Sequence, residues 1–180
     1  MNLIYTIGHS THPIDQFIAL LQAYPIAVLA DVRSYPASRR WPQFNQELLR
    51  ESVEDRGIVY QWLKALGGRR RSQRTDSPHT AWEVEAFRAY ADYADSADFA
   101  TALTDLMTVA DHEPTAIMCA EGLWWQCHRR IIADHLVVRG WEVQHVTPSG
   151  QLTAHQLAAF ASVRDSRLIY DGGQPPLELK

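Results

Sequence analysis

The sequence predicts an α/β fold: a three-layer α/β/α sandwich around a mostly parallel, doubly wound, Rossmann-like sheet of about five strands. Two observations carry this. Short apolar runs alternate with amphipathic stretches along the chain, and parallel strands need crossover connections, which are usually helices. Polar residues also gather just after the apolar runs, at the sheet edge where open parallel sheets bind ligands. A length of 180 residues suits one sizeable core and is short for two ordinary domains, so a single domain is expected.

In order along the chain, residues 3–7 form an apolar strand ending at Gly8-His9-Ser10, and Pro13 opens a helix with Phe17, Leu20 and Leu21 at helical spacing. Residues 26–30 repeat the pattern, ending in Asp31-Val32-Arg33, with a Pro-punctuated loop and a helix over about 45–56. A third strand over 57–62 leads into a Gly- and Arg-rich segment, expected to be a mobile loop to about His79. Helices follow over about 82–94 and 97–111, then a strand over 115–118 that delivers Cys119 to its C-terminal end. A helix over about 124–139, C-capped by Gly140, precedes a fifth strand over 142–146. A last helix is expected near 153–163, followed by a tail over 165–180 that frays.

Composition excludes several classes. With 46% hydrophobic and 21% charged residues the chain reads as globular, not disordered or fibrous. The start MNLIYTIGHS has no basic n-region or small-residue cleavage site, and no apolar run approaches the roughly 18 residues of a membrane span, so a cytoplasmic protein without membrane association is expected. Two cysteines, Cys119 and Cys127, are too few for a disulfide framework, and their thiol chemistry is expected to be available. A net charge of −4 does not match the overall basic footprint of a generic nucleic-acid binder. The arginines nevertheless cluster: Arg33, Arg39 and Arg40; Arg69, Arg70, Arg71 and Arg74; Arg129 and Arg130.

The strand ends bring His9 and Ser10, Asp31 and Arg33, and Cys119 and Glu121 toward one edge, where a single polar site is expected. Several motifs occur in order: Thr6-Ile7-Gly8-His9-Ser10, Asp31-Val32-Arg33, Pro36-x-Ser38-Arg39-Arg40, Phe44-Asn45, Leu66-Gly67-Gly68-Arg69, Phe87-Arg88-x-Tyr90-Ala91-Asp92-Tyr93, Met118-Cys119-Ala120-Glu121 and Trp125-x-Cys127-His128-Arg129-Arg130. Together, over about residues 5–146, these resemble the DUF488 family, a domain of unknown function. The resemblance implies the α/β fold and the importance of these motifs without supplying a reaction.

The residues themselves suggest several chemistries. Arg33, Arg39, Arg40, Arg69, Arg129 and Arg130, with Ser10 and Asp31, could clamp an anion, because guanidinium forks hold phosphate or carboxylate. A helix N-terminus near Trp124 would add backbone donors. The competing reading is a structural ion-pair network. Cys119 is a candidate nucleophile beside arginines and His128, although phosphatase and sulfurtransferase loops carry Arg where this chain has Trp125. His128 and His9 are candidate acids or bases oriented by Glu121. Trp125 beside arginines could stack a nucleobase, with core packing the alternative. No cofactor is expected; Cys119, Cys127, His128, His9 and Glu121 include zinc-ligand types, but Cys-x7-Cys-His is an unusual spacing.

The leading expectation is an enzyme, a hydrolase or transferase, acting on a phosphate-bearing nucleotide or nucleic acid. A non-enzymatic module binding an anionic small molecule or nucleic acid and a thiol- or metal-responsive protein are the alternatives. The sequence does not address the oligomeric state.

Overall fold

The structure is a computed structural model and describes residues 2–72 and 74–173. A six-stranded sheet is built from β1 (Leu3–Gly8), β2 (Val28–Asp31), β3 (Val59–Trp62), β4 (Thr115–Cys119), β5 (Glu142–Val146) and β6 (Leu152–Ala154), in the order β3-β2-β4-β1-β5-β6. All pairings are parallel except β5 with β6. The helices are α1 (Ile14–Gln22), α2 (Gln46–Glu54), α3 (Glu85–Ala94), α4 (Ala97–His112) and α5 (Arg129–Val138).

Two apolar cores follow from the alternation of side chains along the strands. Tyr5, Ile7, Leu29, Ala116 and Met118 pack with Phe17 and Leu21 of α1 and Leu49 and Val53 of α2. Ile4, Ala30, Ile117 and Cys119 face the opposite way, onto Tyr90 of α3, Leu103 of α4 and Ile132 of α5. The sheet is therefore covered on both faces, as expected. The chain runs from β1 outward through β2 to β3, then returns to insert β4 beside β1, before crossing to β5. The loops after β1 and β4 leave adjacent strands toward helices on opposite faces, which opens a crevice at their carboxyl ends.

The C-terminal expectations need correction. Residues 153–163 form no helix: β6 pairs antiparallel with β5, and β7 (Ala161–Arg164) pairs with β8 (Arg167–Tyr170) in a hairpin. The expected tail therefore contains a strand whose Tyr170 is fully buried, while 174–180 lie outside the described residues. The helix expected from residue 124 is a 3-10 turn, Trp124–Gln126, and α5 proper begins at Arg129.

The basic segment is irregular but tied down. Tyr90 Oη donates to Leu66 O, Arg69 N to Ser34 Oγ, and Arg70 to Gly67 O and Ala65 O. Asp92 accepts from Ser72 Oγ and Ser77 Oγ. Among the described residues, no helix is long and apolar enough to cross a membrane.

Candidate functional site

A pocket of about 780 Å³ opens at the carboxyl ends of β1, β2 and β4. His9, Arg33, Cys119, Glu121, Cys127 and His128 all border it, joined by Trp41 and Arg69 from the loops and Phe87 from α3. A volume of this order is typical of a small-molecule site.

The shape depends on glycine at two places. A Cβ on Gly8 would lie 1.8 Å from Glu121 O, so only glycine lets the turn after β4 fold across the end of β1. A Cβ on Gly68 would lie 2.4 Å from His128 Nδ1, so the basic loop presses its backbone against the imidazole.

The two thiols meet at the pocket floor. Cys119 ends β4 and Cys127 precedes α5, yet their Sγ atoms are 2.7 Å apart, both buried. Cys127 Sγ also accepts from the backbone N–H of Arg129 at 3.5 Å, the first residue of α5, and lies 3.4 Å from His128 Nδ1. His128 Nε2 is 3.0 Å from Val32 O; a carbonyl only accepts, so Nε2 carries hydrogen and Nδ1 faces the sulfur. The environment splits the thiols. Burial, and then the neighbouring Cys127 sulfur, push Cys119 well up. Burial alone would raise Cys127 too, but the hydrogen bond from Cys119, with His128 and Arg129 beside it, brings Cys127 well below an ordinary thiol.

The expected arginine clamp divides. Arg33 borders the pocket but is engaged: Nε and Nη2 grip Asp31 at 2.9 and 2.6 Å, and Nη1 donates to Phe44 O at 2.8 Å. Tyr60 Oη holds the same carboxylate at 2.6 Å. Asp31 is thus buried as the anchor of Arg33. Arg129 is fully buried beneath the floor, donating to Glu121 O and Thr6 Oγ1. Arg130 stacks on Trp82 and Phe160, each 5.2 Å from its guanidinium carbon. Arg39 and Arg40 are exposed on the loop after β2, with Arg40 over Trp41. Arg69 remains at the pocket rim, exposed beside Tyr35.

His9 is stacked on Phe44 at 4.1 Å and its Nδ1 is 2.9 Å from Ser10 O. Nδ1 therefore donates, and Nε2 turns its lone pair to Arg33 Nη1 at 3.4 Å. Burial and the Arg33 charge lower its pKa to about 4, so it is neutral near pH 7. Ser10 takes a positive φ of 49° in the turn and donates its backbone N–H to Ala120 O, tying the loops after β1 and β4 together. Trp125 is 45% exposed and edge-on to Trp124, while Tyr35, Trp41 and Phe87 are large aromatics bordering the pocket. Among the described residues no three His, Cys, Asp or Glu side chains converge as a metal site.

A family model described as a domain of unknown function, DUF488, matches residues 13–136. The chain is a member of the DUF488 family. No match was found among curated proteins or solved structures. Asp31, Arg33, both cysteines and the His128-Arg129 pair of this DUF488 protein lie inside the matched span, whereas Gly8-His9-Ser10 precedes it.

Sequence reasoning missed a second polar group behind the floor: Thr6, Asp134, His145 and His155, all buried. One signal was present. Thr6 interrupts an otherwise apolar strand, and a buried polar group demands a partner.

Proposed function

We propose that this DUF488 protein is an enzyme acting on a phosphate-bearing substrate of nucleotide size, with Cys127 supplying a thiolate nucleophile. The observation that carries the reading is the 2.7 Å approach of Cys119 Sγ to Cys127 Sγ on the floor of the pocket. A thiol donor, the first backbone N–H of α5 and His128 all face the Cys127 sulfur, the setting that favours a thiolate. The nucleophile sequence reasoning named was Cys119, but burial, and then the neighbouring Cys127 sulfur, hold that thiol well above the ordinary range.

In this reading the thiolate attacks the electrophilic phosphorus, a sulfur–phosphorus bond forms, and the bond to the leaving oxygen breaks. His128 Nδ1, which faces the Cys127 sulfur at 3.4 Å, takes the proton that the thiol gives up and returns it to that oxygen, with Glu121 bordering the same pocket. Transfer of the group to water or another acceptor releases the thiolate. Arg69 draws the anion in from the rim, and Trp41 or Phe87 offers a face to a base.

The test of substrate class is thermal stability with inorganic phosphate, nucleotides and short oligonucleotides, for the wild type and Arg69→Ala. A ligand that binds the native state raises stability by mass action. A rise with phosphate compounds that weakens in Arg69→Ala supports the reading, and no rise with any of them contradicts it. Binding of phosphate compounds by the wild type without turnover of any of them identifies a binding module instead.

The same sulfur contact favours a second reading, a thiol-responsive protein. Two thiols this close can lose two protons and two electrons to a disulfide or peroxide oxidant and form a disulfide. Reversible loss of both free thiols on treatment with oxidised glutathione supports that response, and retention of both thiols removes it.

A further inference from the structure

Arg129 presents a problem of charge. It is fully buried, its Nε has no partner, and no carboxylate forms an ion pair with it among the described residues. A buried guanidinium needs a compensating anion or a polarised path to one.

Such a path exists. Arg129 Nη1 is 3.3 Å from Thr6 Oγ1, which is 2.7 Å from His145 Nδ1. His145 Nε2 is 2.9 Å from His155 Nδ1, and His155 Nε2 is 2.9 Å from Asp134 Oδ1. Asp134 also accepts from Tyr170 Oη and from Ala158 N–H. Arginine only donates and the Asp134 carboxylate only accepts, so with both rings neutral a single assignment satisfies every link. Thr6 accepts from Arg129 and donates to His145 Nδ1; His145 donates from Nε2 to His155; His155 donates from Nε2 to Asp134. Every donor then points from the cation toward the anion. Burial is the leading cause that lowers His145 to about 2, with the Arg129 charge beside it, which keeps that ring neutral.

The fold builds this line from separate parts. The parallel register of β1 and β5 sets Thr6 directly beside His145 on the α5 face of the sheet. Trp124 lies flat on the His145 ring at 4.1 Å and 5°, covering it. His155 follows β6, with its backbone bonded to Val143 O, and Tyr170 comes from the terminal hairpin.

We propose that Thr6, His145, His155 and Asp134 are positioning residues that fix Arg129 beneath the two sulfurs, so that its charge favours the thiolate form of Cys127. The proposal rests on the thiol-enzyme reading of the pocket. Asp134 supplies only part of the compensation, through neutral rings, and the residual positive field falls on the sulfurs. The titratable and charged groups facing Cys127 are Cys119 from β4, His128 and Arg129 at the start of α5, and Tyr90 from α3.

The test is the pH profile of alkylation by iodoacetamide, with the adduct localised to Cys127 by fragment mass spectrometry, in the wild type, Thr6→Val and Thr6→Ser. Valine keeps the shape and cuts both hydrogen bonds; serine keeps the bonds. Thr6→Val is expected to slow neutral-pH alkylation about tenfold, as loss of supporting partners around a site commonly does, with Thr6→Ser close to the wild type. Folding is checked by near-UV circular dichroism. If Thr6→Val does not fold, His155→Gln cuts the line farther from the thiols, and the same slowing is expected. A folded variant with the wild-type profile overturns the relay. A wild-type Cys127 that alkylates as an ordinary exposed-type thiol instead overturns the thiol-enzyme reading itself, which separates the two failures.

Discussion

Cys119 Sγ and Cys127 Sγ stand 2.7 Å apart, one at the end of a central strand and the other at the mouth of a helix. Neither position alone makes a reactive thiol. Together they make an unequal pair, because burial raises the Cys119 thiol while Cys119, His128 and Arg129 beside Cys127 lower that one. Replacing Cys119 with alanine removes the S–H donor. Cys119→Ala is expected to raise the thiol pKa of Cys127 and slow its alkylation at pH 7, measured as a second-order rate with iodoacetamide; an unchanged rate contradicts the pairing.

The buried pair of Asp31 and Arg33 gives a stability prediction. Asp31→Asn leaves a buried guanidinium without its counter-ion and Tyr60 Oη without its carboxylate. A loss of about 3 to 5 kcal/mol in urea unfolding is expected. Arg33→Lys is also expected to destabilise, since an ammonium cannot reproduce the two-pronged grip while reaching Phe44 O.

Acid should weaken the fold through buried neutral histidines. Burial is the leading cause in His9, lowered from 6.5 to about 4, in His135, lowered to about 3, and in His145, lowered to about 2. Below pH 6.5 the unfolded chain binds protons at these positions while the folded chain does not, so stability falls as pH drops. For each ring the loss grows until its folded value is reached and then levels off. At pH 5 each is expected to remove about 1 to 2 kcal/mol relative to pH 7. Urea unfolding across this range, repeated on His9→Asn, checks the sign and the share due to His9.

Gly68→Ala tests the loop against the imidazole. The added methyl meets His128 Nδ1, Cγ and Cε1 at 2.4 to 2.9 Å, so the ring must turn away from Cys127 or the loop must lift. Reduced Cys127 reactivity with a small change in thermal stability is expected. At Gly8 the obstacle is backbone, Glu121 O, so Gly8→Ala is expected to lower stability itself.

The α/β layering was legible because buried parallel strands and amphipathic helices carry different periodicities, and the run from β1 to β5 follows them. The C-terminal region was not. Leu157, Ala158 and Phe160 suggest a helical face, but their segment is fixed by long-range contacts: His155 and Ala158 both bind Asp134, which lies in α5. The hairpin signal was local and subtle, since Asp165 and Ser166 take φ of 48° and 63°, the left-handed turn that suits a two-residue loop. At the site, strand-end logic found the pocket residues, but it could not separate a rim arginine such as Arg69 from a buried one such as Arg129. That distinction depends on which side of the floor α5 places each guanidinium, and on a register between β1 and β5 that no local pattern encodes.

If chemistry on a phosphate-bearing substrate runs through Cys127, turnover of a nucleotide panel by the wild type and by Cys127→Ser, with binding followed in parallel, shows it. Phosphoryl-group release is expected in the wild type, and its loss in Cys127→Ser while ligand binding is retained. Turnover that continues undiminished in Cys127→Ser would contradict it.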